Sequence, residues 1–219
     1  MSDERRIAEP RIAETGIAGI VLAAGSSTRM GHNKLLLEIG GETLVRRAVR
    51  LATEAGLDPV ILVMGQFREA IEREVEDLAC TPVFNPDHAT GIQTSVACGV
   101  AAAPAACGAA VVMLCDMPFV TARMVRTLVE RHAETGAPLV ASRYGGEVNA
   151  PPILYGRGLF GEVSRMKAGC GREVVRRHHE RAVHVEWPVD RLRDLDRPDD
   201  YESARRAFAG VGSRSGEVS

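Results

Sequence analysis

Short apolar runs alternate with amphipathic stretches along most of the chain. Apolar runs that end in turn residues predict buried strands, and apolar positions at a spacing of three to four predict helices. The predicted strands are Ile17–Leu22, Val60–Met64, Pro82–Phe84, Ala109–Cys115, Pro138–Ser142, Pro152–Tyr155 and Val183–Trp187. The predicted helices are Glu42–Ala55, Phe67–Leu78, Ile92–Ala103, Thr121–Glu134, Arg157–Met166, Arg172–His179 and Pro198–Phe208.

This alternation of strands and helices indicates an α/β protein. Several strands are apolar throughout instead of alternating with polar residues, which is typical of a mostly parallel sheet covered on both faces. We therefore expect a single domain with three layers. In open sheets of this kind the ligand lies beyond the carboxyl ends of the strands.

The segment after the first strand is a candidate phosphate-binding loop. A small-residue turn follows Leu22 and leads to Arg29 and Lys34. Backbone N–H groups without side-chain bulk suit phosphate oxygens, and the two basic residues add positive charge. The chain has 27 lysines and arginines, and only Lys34 and Lys167 are lysines. A lysine in this loop therefore favours a role for a compact ammonium group there. Neither the G-x-x-x-x-G-K-[ST] nor the G-x-G-x-x-G template fits the segment. The absence of G-x-G-x-x-G argues against a dinucleotide-binding oxidoreductase.

Asp116 follows the most apolar strand and precedes Met117-Pro118. A carboxylate at the end of a buried strand is a suitable ligand for Mg²⁺, which also binds substrate phosphates. The structural alternative is a turn or capping aspartate before Pro118. The basic loop in the same sequence favours the metal.

Four motifs carry a resemblance to the nucleotidyltransferases related to molybdenum cofactor cytidylyltransferase and guanylyltransferase. The opening motif, L-A-A-G-x-x-x-R-M-G-x-x-K, is matched from Leu22 to Lys34, and L-x-D-x-P is matched from Leu114 to Pro118. The segment 85–95 resembles N-P-x-x-x-x-G-[MI]-x-x-S, and 194–200 resembles D-x-D-T-P-x-D with Arg197 in place of Thr.

The resemblance implies a fold of the nucleotide-diphospho-sugar transferase type with a Rossmann-like nucleotide-binding half. It also implies roles for individual residues. Asp116 and Asp196 would hold Mg²⁺, with Asp194 as the fallback and a helix cap as the structural alternative for Asp196. The implied catalytic residues are Arg29, Lys34 and Asp116. The implied nucleotide-binding residues are Leu22, Ala23, Ala24, Gly25, Ser26, Arg29, Lys34, Gly91 and Ser95.

The implied reaction transfers CMP from CTP to a molybdopterin-type cofactor and releases pyrophosphate. L-A-A-G is similar to the cytidine-using branch, whereas L-A-G-G is more typical of the guanine-using branch. Alternatives are a nucleotidyltransferase acting on a sugar phosphate or another phosphorylated small molecule, and a non-catalytic nucleotide-binding module. The resemblance also implies a client molybdoenzyme or its chaperone as a partner.

Two departures from the family pattern concern the side that would face the acceptor. Asn149-Ala150 stand where the cytidylyltransferases carry Arg-Gly. In the segment 167–172, which resembles G-D-x-G-A-R, Arg172 is retained but the aspartate is replaced by Ala168. These changes do not affect the residues expected to carry the transfer, but they leave the identity of the acceptor open. The arginines of this half, among them Arg172, Arg176 and Arg177, would form a mostly solvated face, from which one or two could meet a substrate phosphate.

Composition and charge limit the possible partners and the cellular compartment. A net charge of −2 gives no case for nucleic-acid binding, and no apolar run is long enough for a membrane span. The five cysteines show no C-x-x-C spacing and are expected to be reduced, which indicates a cytoplasmic protein. We expect a flexible arm at 1–16, a nucleotidyltransferase domain at 17–209 and a flexible tail at 210–219.

Three histidines are candidate ligands by their positions in the sequence. His179 and His184 are one residue too far apart for H-E-x-x-H, so both are interpreted as surface residues. His32 lies in the phosphate loop and is interpreted as exposed.

Overall fold

The computed structural model describes residues 16–25, 33–169, 171–195 and 197–212, without the side chains of 210–212. The predictions made for Ser26, Arg29, His32 and Asp196 lie outside the described residues, as do Cys170 and most of the predicted arm and tail.

A seven-stranded sheet with the order β5-β4-β1-β6-β8-β7-β9 forms the centre of the described fold. Strand β8 is antiparallel to its neighbours β6 and β7, and the other pairs in this sheet are parallel. Strands β2 and β3 form a separate hairpin. The strands are β1 (Ile17–Ala23), β2 (Glu38–Ile39), β3 (Glu42–Thr43), β4 (Val60–Met64), β5 (Thr81–Phe84), β6 (Ala109–Leu114), β7 (Leu139–Tyr144), β8 (Val148–Gly156) and β9 (Ala182–Trp187). The predicted α/β fold with a mostly parallel sheet is confirmed.

Helices cover both faces of this sheet and complete the three layers. They are α1 (Leu44–Glu54), α2 (Arg68–Glu74), α3 (Ile92–Ala102), α4 (Ala122–Thr135), α5 (Phe160–Val163), α6 (Arg172–Arg177) and α7 (Pro198–Gly212). Helices α1, α2 and α4 contribute to one hydrophobic core, and α3, α5 and α6 contribute to the other. No helix in the described part of the chain is both long and apolar enough to cross a membrane.

Two predicted helices differ from the structure for local reasons. The helix predicted from Glu42 begins instead at Leu44, because the Thr43 side chain caps it by accepting a hydrogen bond from Arg46 N at 3.3 Å. The helix predicted at 157–166 is a 3₁₀ turn, Arg157–Leu159, followed by the short α5. Gly158 and Gly161 lower helix propensity there.

Other boundaries shift without changing the element type. Helix α2 is shorter than predicted at both ends, strand β8 is longer, and α7 continues beyond Phe208 to Gly212. The β2–β3 hairpin was not predicted, because each of its strands has only two residues and no resolvable period.

Gly99 allows α3 to approach the sheet closely. A Cβ at this position would overlap Ile20 Cγ2 and would lie 3.1 Å from Val63 Cγ2, and both side chains are fully buried. We expect Gly99→Ala to lower the free energy of unfolding by about 1–2 kcal/mol, because the overlap in a dense core outweighs the better helix propensity of alanine. Urea unfolding monitored by circular dichroism measures this change.

Gly161→Ala is the matched control for that substitution. Gly161 is also helical, but a Cβ there would meet only the end of the flexible Arg165 side chain, at 3.4 Å. We expect Gly161→Ala to leave stability unchanged or slightly increased. Equal destabilisation by both substitutions would contradict the close-approach argument for Gly99.

Candidate active site

The carboxyl ends of β1 and β6 lie side by side at the centre of the sheet. Leu22 is paired with Leu114 in the parallel register of these two strands. Strands β4 and β5 follow β1 on one side of it, whereas β6 lies on the other side of β1. The direction in which successive strands are added to the sheet therefore reverses between β1 and β6. Open α/β sheets bind ligands at such a reversal. The described part of the glycine loop and Asp116 therefore lie where a ligand is expected.

Lys34 and Asp116 form an ion pair near the carboxyl ends of β1 and β6. The distance from Lys34 Nζ to Asp116 Oδ2 is 2.7 Å, and the two side chains are 15% and 22% exposed. Lys34 begins a 3₁₀ turn that Asn33 caps, since Asn33 Oδ1 accepts a hydrogen bond from Leu35 N at 3.1 Å. Partial burial reduces solvent screening, so the pair is a stronger electrostatic feature than a surface ion pair.

Asn85 organises the segment between β5 and α3. Its Nδ2 donates to Thr94 Oγ1 at 2.9 Å and to Ser95 Oγ at 3.0 Å, and its Oδ1 accepts from Asp87 N at 3.0 Å. Gly91, just before α3, has a φ of 137°, which favours glycine. These bonds fix the turn that carries Gly91 and the buried hydroxyl of Ser95.

His88 packs against the backbone at the end of β4. A Cβ on Gly65 would lie 2.7 Å from His88 Cγ and 2.8 Å from Ala24 O, so a glycine is required for this close packing. His88 Nδ1 is buried and has no hydrogen-bond partner among the residues that the structure describes. Gly65 thus allows both the imidazole and the backbone of the glycine loop to pack closely against the end of β4.

These elements enclose a cleft of about 250 Å³. Its lining brings together seven of the residues predicted for nucleotide or metal binding: Leu22, Ala24, Gly25, Lys34, Gly91, Ser95 and Asp116. Ala23 does not line it, since its side chain is in the core on the α1 side of the sheet. The cleft also contains residues that were not predicted to bind a ligand, namely Leu35, His88, Ala89, Ile92 and Leu114, although Ile92 and Leu114 occupy fixed positions of the matched motifs. His88 stood within a matched motif, but at a position that the motif leaves open.

The acidic segment before α7 is joined to the end of β6. Leu195 N donates a hydrogen bond to Asp116 O at 3.1 Å, and the Leu195 side chain is buried. The two acidic motifs, far apart in sequence, therefore meet at one edge of the sheet. No group of three or more His, Cys, Asp or Glu side chains with metal-binding geometry occurs within the described ranges.

A second cleft of about 510 Å³ adjoins the first, and Leu114 lines both. The residues at which the sequence departs from the family pattern, Asn149, Ala150 and Ala168, all line this second cleft. The remaining lining residues are Leu114, Met117, Pro151, Ile153, Gly169, Arg172, Glu173, Arg176 and Asp194.

One cysteine and two histidines differ in burial and reactivity. Cys115 precedes Asp116, but burial raises the pKa of its thiol, and the Asp116 charge raises it further, so the thiol stays neutral and unreactive. The interpretation of His184 as a surface residue is wrong. It lies half-buried on β9 with a buried Nδ1, and burial lowers its pKa. His179 is exposed, as predicted.

A mostly parallel sheet with a cleft at the reversal of strand order is typical of α/β proteins that bind a ligand at this position. The chain matches the family described as the MobA-like NTP transferase domain over residues 19–182, and it therefore belongs to that family of nucleotidyltransferases. The fold is of the nucleotide-diphospho-sugar transferase type. The family resemblance read from the sequence motifs is confirmed.

Three relatives show how far the similarity extends. A probable molybdenum cofactor guanylyltransferase of Opitutus terrae is 32% identical over 206 residues, covering 89% of this chain and 98% of that protein. The purine catabolism protein PucB of Bacillus subtilis is 29% identical over 209 residues, covering 88% and 98%. The crystal structure of Rv0371c from Mycobacterium tuberculosis in complex with manganese has a TM-score of 0.69 at 25% identity, covering 88% of this chain and 100% of that chain.

Proposed function

We propose that this protein transfers CMP from CTP to a molybdopterin-type cofactor in the presence of Mg²⁺, with release of pyrophosphate, and that residues 17–209 form the catalytic domain. The observation that carries the proposal is the Lys34–Asp116 pair, which lies in a cleft that shares a wall with a second cleft. A nucleotide in the first cleft and an acceptor in the second would meet at this wall.

The transfer itself needs positioning and charge neutralisation more than a protein nucleophile. A phosphate oxygen of the acceptor attacks the α-phosphorus of the triphosphate and forms the new P–O bond. The bond from the α-phosphorus to the oxygen bridging to the β-phosphorus breaks, and pyrophosphate takes that oxygen. Lys34 and Arg29 would neutralise the triphosphate, and the backbone of the Ala23–Gly25 turn with Ser26 would approach its oxygens. Leu22, Gly91 and Ser95 would contact the nucleoside.

Asp116 suits a divalent cation, because Mg²⁺ is usually bound by one or two protein carboxylates together with the phosphates of the substrate. The hydrogen bond from Leu195 N to Asp116 O supports Asp196, the next residue in the chain, as the second ligand. When bound, the cation would withdraw charge from the phosphates. The manganese in the Rv0371c complex supports a divalent cation at this kind of site.

The motif L-A-A-G at Leu22–Gly25, which is similar to the cytidine-using branch of the family, supports cytidine as the base. GTP is the second candidate, because the relative from Opitutus terrae is named a guanylyltransferase.

The test is pyrophosphate release with Mg²⁺, with CTP, GTP, ATP and UTP each offered with molybdopterin and with a panel of sugar phosphates. We expect release with CTP and molybdopterin, at a rate at least about tenfold above that with GTP. Faster release with GTP would identify guanine as the base instead of cytosine. Release with a sugar phosphate would identify the acceptor as a sugar phosphate instead of molybdopterin. Metal-dependent nucleotide binding without release in any combination would favour a non-catalytic module.

A further inference from the structure

The second cleft contains a pair of arginines on one helix. Arg172 and Arg176 are four residues apart on α6, so they lie on one side of the helix, and both line the cleft. Neither forms an ion pair with another residue in the described ranges. Arg177 differs, because it pairs with Glu162 and, at 2.6 Å, with Glu173. The cleft also contains Glu173 and Asp194, so it offers both donors and acceptors.

Asn149 contributes an unused hydrogen-bond acceptor to the same cleft. It lies on β8 opposite Arg143, and its Oδ1 is buried without a hydrogen-bond partner among the described residues. Buried polar atoms are nearly always hydrogen-bonded, and one that lacks a partner at a cleft wall is suited to a ligand donor. The oxygen replaces the positive charge that the cytidylyltransferase motif places at this position.

The rest of the wall indicates the shape of the ligand. Leu114, Met117, Pro151 and Ile153 give the cleft an apolar side next to the polar one. Such a combination suits a flat ring that carries a few polar groups. Two neighbouring guanidinium groups suit a phosphate, because each presents donors in a planar fork.

Building on the proposed function, we propose that Asn149 and Arg176 select the acceptor. The acceptor is a phosphate monoester attached to a planar heterocycle that carries a ring N–H. Arg176, together with Arg172, holds the phosphate, and Asn149 Oδ1 accepts the hydrogen bond from the ring N–H.

Equilibrium binding of three probes to the full-length protein tests this assignment. The probes are molybdopterin, kept anaerobic, as a phosphorylated planar N–H donor; glucose 1-phosphate, as a phosphate with hydroxyl groups only; and inorganic phosphate. We expect Arg176→Gln to weaken the binding of all three by about tenfold, and Asn149→Leu to weaken molybdopterin alone by about tenfold. Arg181→Gln is the control, because Arg181 is exposed and lies outside both clefts, and it should change each by less than about twofold.

A second readout separates recognition from structure. Because Asn149 Oδ1 is unpartnered, Asn149→Leu should leave the melting temperature of the unliganded protein unchanged or higher. A lower melting temperature would assign Asn149 to the fold and overturn its role in selection. Equal effects of Arg176→Gln and Arg181→Gln would overturn the role of Arg176.

The proposed function and this inference fail in different ways. Pyrophosphate release from CTP and molybdopterin that neither Asn149→Leu nor Arg176→Gln alters would retain the function and overturn the inference. Molybdopterin binding that depends on both residues, without pyrophosphate release, would retain the inference and overturn the function.

Discussion

Asp116→Asn is expected to lower the rate of pyrophosphate release by about 10²–10³, the range found when one preorganised charge-stabilising group is removed from an active site. The substitution keeps the size of the side chain, and the amide oxygen can still accept from Lys34 Nζ, which lies 2.7 Å from the carboxylate. What is lost is the negative charge that a divalent cation requires. We therefore expect nucleotide binding without metal to persist, while its enhancement by Mg²⁺ falls.

Asp190→Asn is the control for this substitution, because Asp190 is exposed and lies outside both clefts. It should retain the wild-type rate. Steady-state rates together with nucleotide titrations at several Mg²⁺ concentrations make the comparison. An Asp116→Asn protein with a normal rate would remove Asp116 from the metal site and leave its pairing with Lys34 as a structural contact.

The central strands could be predicted closely, whereas the periphery could not. β4 has the predicted bounds because a fully apolar run between turn residues has only one favourable location, the middle of a covered sheet. The β2–β3 hairpin is too short to show a period, and the break at 157–163, where glycines lower helix propensity, also involves contacts far along the chain. For example, Arg157 Nε donates to Cys107 O at 2.7 Å, a contact that no local pattern encodes.

The same distinction holds for the candidate site. Lys34 and Asp116 could be proposed from their positions after apolar strands, and the structure places them in contact. Their pairing could not be read from the sequence, since it depends on the parallel register of β1 and β6. For a related reason, His88 was missed and Arg176 was named only as one of several arginines that could meet a phosphate. Their relevance comes from the cleft that they line, and a cleft is a property of the packed chain.

Lys34→Ala is expected to lower turnover by at least about tenfold while the protein remains folded. The substitution deletes the charge proposed to neutralise the triphosphate and also leaves the Asp116 carboxylate without this partner. Because the lost interaction strengthens as charge moves to the leaving pyrophosphate, most of the effect should fall on the maximal rate and less on the KM for the nucleotide. Initial rates over a range of nucleotide concentrations separate these two quantities.

Lys34→Arg and Arg181→Ala complete that test. Arginine restores the charge in a larger, planar group, so Lys34→Arg should recover part of the lost rate, which a purely steric role of the lysine would not allow. Arg181→Ala removes an exposed charge outside both clefts and should leave the rate unchanged. A Lys34→Ala protein that turns over at the wild-type rate would refute the role proposed for the lysine and, with it, the mechanism. If its melting temperature also stayed unchanged, the contact with Asp116 would be dispensable for both catalysis and stability.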